Sequence, residues 1–153
     1  MGSFTFKSVG RTLDKTVQET PAKTAIPFGI KTPLSLGQND LYTMNFDLAD
    51  QVVDNLRNLI LTNWGERLGL INFGANIRPL LSDLTSENFE SAVMDRINSA
   101  VSIWMPYVVL GDFTSSIDRT NNRLLSVVKL FMTFSVPSLG VKKRSLEITL
   151  YAM

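Results

Sequence analysis

The stretch that decides the fold is LLSVVKLFMTFSV, residues 124–136. Side chains two apart in a β-strand lie on the same face of the sheet, and alternate positions of this stretch are mostly apolar. The shared face comprises Leu124, Ser126, Val128, Leu130, Met132, Phe134 and Val136. The stretch therefore predicts one long strand with a buried face.

Two shorter strands are expected on either side of it. Tyr107–Leu110 precedes the long strand, and Leu146, Ile148, Leu150 and, weakly, Ala152 mark a third strand after it. Turn-rich connections are expected at 112–123 and 137–144. The prediction is an antiparallel meander of three strands. Such a sheet leaves two edges, and an apolar strand as long as 124–136 would need another chain to pair with it.

Two main helices are predicted before the sheet. The first runs from Asp47, its expected N-cap, to about Leu61. Its apolar stripe is Leu48, Val52, Leu56, Leu59 and Ile60, widened by Val53, and the residues expected to face elsewhere are Asp50, Asp54, Asn55 and Arg57. The second runs from Ser86 to Trp104, is stopped by Pro106, and has Thr85 or Ser86 as its cap. Its apolar face comprises Phe89, Val93, Ile97, Ala100 and Trp104. A short helical turn is expected at Ile77–Leu81.

The fold class is therefore α+β, with an extended arm in front of one domain. Residues 1–43 are the arm, because Pro21, Pro27 and Pro33 interrupt any helix there. Residues 44–153 form the domain, including the C-terminal strands at 124–153. The arm either wraps its own domain or reaches across a partner.

Composition excludes several functions of the chain. Its 153 residues include no cysteine and no histidine, which removes thiolate and imidazole chemistry. The formal net charge is +1, and no run of 18 apolar residues occurs, so we expect neither a nucleic-acid nor a membrane partner. We also expect no cofactor and no metal site. Charged residues make up only 19% of the chain, against roughly 25% in average proteins, which suggests that part of the surface is covered.

The segment NLILTNWGER, residues 58–67, begins a set of motifs that carries a family resemblance. The order Thr62, Gly65–Arg67, Phe73–Gly74, then a helix closing on Trp104 and Pro106 resembles the baseplate wedge subunit, or sheath initiator, family of contractile-tail phages. That family is related to subunits of type VI secretion baseplates. The resemblance covers about residues 41–110 and departs from the family pattern at Met105 and Tyr107, where the family has a charged pair.

The resemblance implies a structural role rather than an enzymatic one. It implies a baseplate wedge subunit that joins larger wedge proteins and offers its C-terminal strands as a template to the first ring of tail sheath protein. The arm would reach hub or tube-proximal proteins. The expected location is the virion tail baseplate, assembled in the host cytoplasm.

The residue pattern and the resemblance together nominate partner-contact residues. They are Trp64, Glu66, Arg67, Met105, Tyr107, Lys142, Lys143, Arg144, Leu146, Ile148 and Leu150. Two alternatives stay open: Glu66 and Arg67 could serve the Gly65 turn internally, and the basic run at 142–144 could be a solvated turn or a charged gatekeeper. Gly65 and Gly74 are expected to be backbone requirements of that turn. Trp104 is expected in the core and Trp64 at the surface.

A lysozyme-like glycoside hydrolase associated with a tail is the alternative function. Such an enzyme needs two carboxyl groups facing each other across a cleft. The available acids in the matched region are Glu66, Asp83, Glu87 and Asp112. Nothing in the sequence marks two of them as a pair, so no catalytic residue is assigned.

Overall fold

The structure, a computed structural model, describes residues 26–37, 41–84, 88–119 and 126–152, except for the side chains of Asp83 and Arg119. Helix α1 spans Leu48–Leu61, and the Asp47 carboxylate caps it by accepting a hydrogen bond from the Ala49 N–H at 3.0 Å. This confirms the predicted helix and its cap. Most of the predicted stripe is buried, whereas Leu48 is exposed because it lies in the first turn, beyond the core.

The described part of the arm lies against its own domain. Strand β1, Gly29–Ile30, pairs antiparallel with β2, Met44–Asn45. Hydrogen bonds from the Phe28 N–H to Asn45 O at 2.8 Å and from the Lys31 N–H to Thr43 O at 2.9 Å extend the pairing. Residues 1–25 of the predicted arm are outside the described residues.

Helix α2 spans Phe89–Trp104 and ends before Pro106, as predicted. It begins at Phe89 rather than Ser86, with Asn88 in the N-cap position, and the predicted caps Thr85 and Ser86 lie outside the described residues. A 3₁₀ helix at Arg78–Asp83 takes the place of the short turn predicted at Ile77–Leu81. The apolar face of α2 is buried except for Trp104, which is partly exposed.

Three further strands form the predicted antiparallel meander. They are β3 at Val109–Arg119, β4 at Ser126–Val136 and β5 at Val141–Ala152, and they lie in that order across the sheet. Two helices followed by this sheet confirm the α+β fold class. The expectation that the long strand needs another chain to pair with it is wrong, because β4 is the central strand and pairs with a neighbour on each side.

The predicted strand boundaries are wrong in two places. Residues 112–119 belong to β3 rather than to a connection, and Tyr107 lies in the turn before that strand. The register of β3 against β4 shifts between Leu110 and Phe113, and such a bulge breaks the period-two pattern on which the sequence prediction depends. Likewise 141–144 belongs to β5, because the turn occupies only the 3₁₀ helix Pro137–Leu139 and Gly140.

The core lies between the two helices and one face of the sheet. The predicted face of β4 supplies Val128, Leu130, Met132, Phe134 and Val136, all buried. They form one cluster with Val52, Leu56, Leu59, Ile60, Val93 and Ile97 of the helices. Burying each such side chain contributes about 1.5–3 kcal/mol. The opposite face of the sheet carries exposed Phe131 and Tyr151.

A buried carboxylate on α1 holds the arm in place. Asp54, predicted to face away from the apolar stripe, is nevertheless only 5% exposed, because the arm covers it. Its carboxylate accepts hydrogen bonds from the Asn45 amide at 2.7 Å and the Thr32 N–H at 3.0 Å, and Arg57 lies 3.3 Å away. Burial raises the pKa of Asp54, but the hydrogen bonds from Thr32 and Asn45 and the charge of Arg57 outweigh burial, so the pKa lies below its ordinary value.

The substitution Asp54→Asn is expected to lower the free energy of unfolding at pH 7 by about 1–3 kcal/mol, because an amide cannot accept the same set of hydrogen bonds. A carboxyl group whose pKa is depressed by folding stabilises the protein above its unfolded pKa, about 3.9, and loses that contribution as the pH falls through the folded value. The difference between wild type and variant should therefore narrow below about pH 4. Urea unfolding at about pH 7 and about pH 3 measures both values.

Asp118→Asn is the matched control, because Asp118 forms an exposed ion pair with Lys129 at 2.9 Å. It should change the free energy of unfolding by less than about 1 kcal/mol. Equal stability of Asp54→Asn and wild type at neutral pH, or a difference that grows on acidification, would contradict the assigned role of Asp54.

The turn after α1 packs closely against the end of that helix. The Ala75 N–H donates to Leu59 O at 3.0 Å, and the Asn76 N–H donates to Thr62 O at 3.3 Å. Gly74 has a φ of 109°, and a Cβ there would collide with the Thr62 carbonyl. Gly65 has a φ of 84° but open space around it. The two predicted backbone requirements are thus both present, for different reasons.

Gly74→Ala should lower the free energy of unfolding by about 2–4 kcal/mol, since it combines a strained φ with a main-chain collision. Gly65→Ala should cost about 1–2 kcal/mol from the φ alone. Thermal and denaturant unfolding of the two variants side by side tests this order. A Gly65 variant as damaged as the Gly74 variant would show that the collision is not the deciding factor.

Candidate functional site

The predicted contact residues fall into separate places in the structure. Arg67, Met105 and Tyr107 line one cavity of about 280 Å³ beside α1. Glu66 and Leu150 line another, of about 320 Å³. The basic run lies on β5, beside a cleft of about 530 Å³ that also contains Asp54 and Arg57.

Two residues of the basic run form ion pairs within the chain. Arg144 reaches the first turn of α1, where its guanidinium lies 2.7 Å from Asp50 and 4.0 Å from Asp47. Lys143 pairs with Asp112 of β3 across the sheet. Lys142 is exposed and has no ion pair with a described residue. The run therefore belongs to a strand rather than the predicted turn, and only Lys142 presents an unpaired charge there.

Three predicted contact residues are turned into the core. Met105, Leu146 and Ile148 are each at most 5% exposed. This corrects their assignment, because side chains already packed among apolar neighbours offer a partner almost no surface. Leu150 is partly buried and Tyr107 is 42% exposed. A partner could therefore contact β5 mainly through its main-chain N–H and C=O groups.

The two sheet edges differ in how far they are occupied. On β3, the Glu90 carboxylate of α2 accepts a hydrogen bond from the Ser115 N–H at 3.1 Å and another from the Ser115 hydroxyl. The bulge after Leu110 further interrupts that edge. Among the described residues, no side chain bonds to the main chain of β5. The N–H and C=O groups of β5 that face away from β4 are therefore available for pairing.

Glu66 and Arg67 each make contacts inside the turn. The Glu66 carboxylate accepts hydrogen bonds from the side-chain amide and the main-chain N–H of Asn63, both at 2.8 Å. These two bonds lower the pKa of Glu66 from its ordinary value. The Arg67 guanidinium lies 4.1 Å from the centre of the Phe73 ring. This geometry favours the internal alternative for both residues.

Trp64 is held by its own chain yet remains at the surface. Its indole N–H donates to Gly74 O at 3.1 Å, and the residue is 52% exposed. Trp104, predicted in the core, packs edge-on against Phe73 with ring centres 5.1 Å apart. Trp64 therefore presents a fixed aromatic surface to solvent.

Exposed apolar side chains surround this part of the surface. Leu68 is fully exposed, Ile71 is 70% exposed, and Ile103 of α2 is 68% exposed. Elsewhere on the domain, the described arm also carries exposed apolar side chains, namely Ile26, Leu34, Leu36 and Leu41. This exposed apolar surface was not predicted from the sequence. The available indication was the presence of apolar residues between Gly65 and Gly74, in a turn that was expected at the surface. Surfaces of this kind are typical of protein contact sites.

Neither Glu66 nor Asp112 has the environment of a glycosidase general acid. A general acid needs a raised pKa, but the pKa of Glu66 is lowered by Asn63, and that of Asp112 is lowered by the hydrogen bond and charge of Lys143. Glu87 and the Asp83 side chain lie outside what the structure describes. Within the described residues, no group of three or more acidic residues converges as a metal site would require, and no helix is long and apolar enough to cross a bilayer.

Comparison with known proteins places the fold. No protein-family model matches the chain, and no curated protein matches it in sequence. A candidate tail lysozyme from Geobacter sulfurreducens has a similar structure, with a TM-score of 0.57 and 18% identity, covering 70% of this chain and 93% of that one. A chain of the anti-feeding prophage baseplate gives a TM-score of 0.53 and 14% identity, covering 81% and 84%. The chain therefore shares its fold with a baseplate component and with a candidate tail lysozyme.

Proposed function

We propose that this protein is a structural, non-catalytic subunit of a contractile-tail baseplate, of the wedge or sheath-initiator kind. The fold shared with a chain of the anti-feeding prophage baseplate supports this proposal. The motif set from Thr62 to Pro106 supports it independently, because it is a property of the sequence and does not depend on the fold comparison. Residues 1–43 act as an arm toward hub or tube-proximal proteins, and 44–153 act as the wedge domain of a virion tail.

The single observation that carries the proposal is the open edge of β5. An unpaired strand edge can accept a strand from another chain through main-chain hydrogen bonds. The strand is long, from Val141 to Ala152, and it is held in register along β4. A sheath subunit adding one strand beside β5 would continue the sheet.

The exposed apolar surface supports attachment to larger wedge proteins. Single exposed apolar residues are normal on a protein surface and need no partner to explain them. Here several exposed apolar side chains occur together on one loop and on α2, namely Trp64, Leu68, Ile71 and Ile103. The surface lies on the loop and on α2, whereas the proposed sheath contact lies on β5. The two contacts therefore use different parts of the domain, so one subunit can make both.

Hydrogen exchange tests the sheath contact on the intact chain. Mixed with the purified sheath protein encoded beside it, the chain should show amide exchange in β5 slowed by at least about tenfold, while exchange in β3 stays unchanged. The large wedge proteins encoded beside it should instead protect residues 63–72 and the end of α2. Protection of β3 rather than β5, or no protection by either partner, would refute the proposed arrangement.

The intact chain is needed for this test because β4 and β5 supply part of the core. Removing residues 124–153 would expose the buried partners of Leu130, Phe134 and Leu146 and unfold the domain. Lys142→Glu offers a milder variant, since Lys142 is exposed and unpaired among the described residues. It should weaken sheath binding if the contacting segment is acidic and leave wedge binding unaltered.

The lysozyme-like alternative has one supporting observation, the fold shared with a candidate tail lysozyme. The environments of Glu66 and Asp112 oppose it. The purified chain should therefore show no lytic activity on peptidoglycan in a turbidity assay. Activity that disappears in Glu66→Gln, while the variant remains folded, would establish the enzymatic function and overturn the non-catalytic assignment.

A further inference from the structure

A cavity of about 330 Å³ lies between the Gly65–Gly74 turn and α2. Its walls are mostly apolar and include Trp64, Ala75, Ile103 and Trp104. Arg96 of α2 also lines it, with its guanidinium 5.0 Å from the centre of the Trp64 ring. The cavity can therefore hold one or two side chains, at the small end of the range for binding pockets.

The Arg96 guanidinium lacks the partner that such a group normally has. Its Nη1 atom is buried and has no hydrogen bond within the part of the chain that the structure describes. No described carboxylate forms an ion pair with Arg96, and the residues lining the cavity include no acid. Arg96 as a whole is only half-buried, so its positive charge can still be reached from outside the chain.

We propose that this cavity binds a carboxylate side chain of a partner protein, with an apolar side chain next to it in the partner's sequence. The carboxylate would form an ion pair with the Arg96 guanidinium, and the apolar neighbour would pack on Trp64 and Ile103. The inference rests on the proposed function only in taking the occupant to be a protein.

The surroundings fix this geometry before a partner arrives. The bond from the Trp64 indole N–H to Gly74 O holds the ring, and the ring in turn supports the guanidinium through a cation–π contact. A guanidinium held in one orientation loses less freedom on binding a carboxylate than a mobile one. Trp64 and Ile103 remain more than half exposed, so an incoming side chain can reach the cavity. Aromatic and arginine side chains together are typical of interface positions that contribute most of the binding energy.

The probe is a displayed library of random peptides about 12 residues long, selected on the intact chain. Selected peptides are expected to carry Asp or Glu next to an apolar residue. Changing that acid to its amide in a synthetic peptide should weaken binding to the wild-type protein by at least about tenfold. This arm of the test leaves the protein unchanged, so it does not depend on how any variant folds.

Protein variants supply the second arm. Arg96→Gln should weaken the same peptides by at least about tenfold, whereas Arg78→Gln, which removes an equal charge from an exposed position in the 3₁₀ helix, should not. Peptides without an acid, or peptides that bind Arg96→Gln as tightly as wild type, would overturn the proposal. The proposed sheath contact at β5 would be unaffected by that result, since its test uses different residues and different probes.

Discussion

The burial of one face of β4 is the interaction on which the rest of the structure depends. The inward positions of this strand, from Val128 to Val136, lie under α1 and α2. Because the strand is central, its pairing also fixes the register of both neighbours. The helices cover only one side of the sheet, however. The uncovered face results from that one-sided packing, and the outer edge of β5 results from its place at the end of the sheet.

The parts of the fold that depend on periodicity were predictable from the sequence. Both helices, the Asp47 cap and the inward face of β4 are encoded in side-chain spacing. The extent of β3 was not predictable, because the register shift after Leu110 interrupts its alternation. The burial of Asp54 was hidden for a different reason: its partners Thr32 and Asn45 lie in the chain before the helix, which places polar groups over an otherwise exposed helix face.

The candidate site was harder to predict than the fold. Met105, Leu146 and Ile148 were expected as contacts, yet their apolar character serves the core. The roles of Glu90 and Arg96 could not be predicted from the sequence, because each depends on a contact with a residue far away in the chain. Glu90 accepts a hydrogen bond from Ser115, and Arg96 packs on Trp64. Spacing along a helix shows which face a residue occupies but not which loop covers that face.

The hydrogen bonds from Ser115 to Glu90 have a consequence for self-association. Identical sheets can stack edge to edge without end only if each copy exposes two usable edges. Here the carboxylate and the bulge obstruct the β3 edge. Two copies that paired through their β5 edges would therefore leave no free edge to which a third copy could add. The chain can thus accept a strand without seeding a fibre of itself.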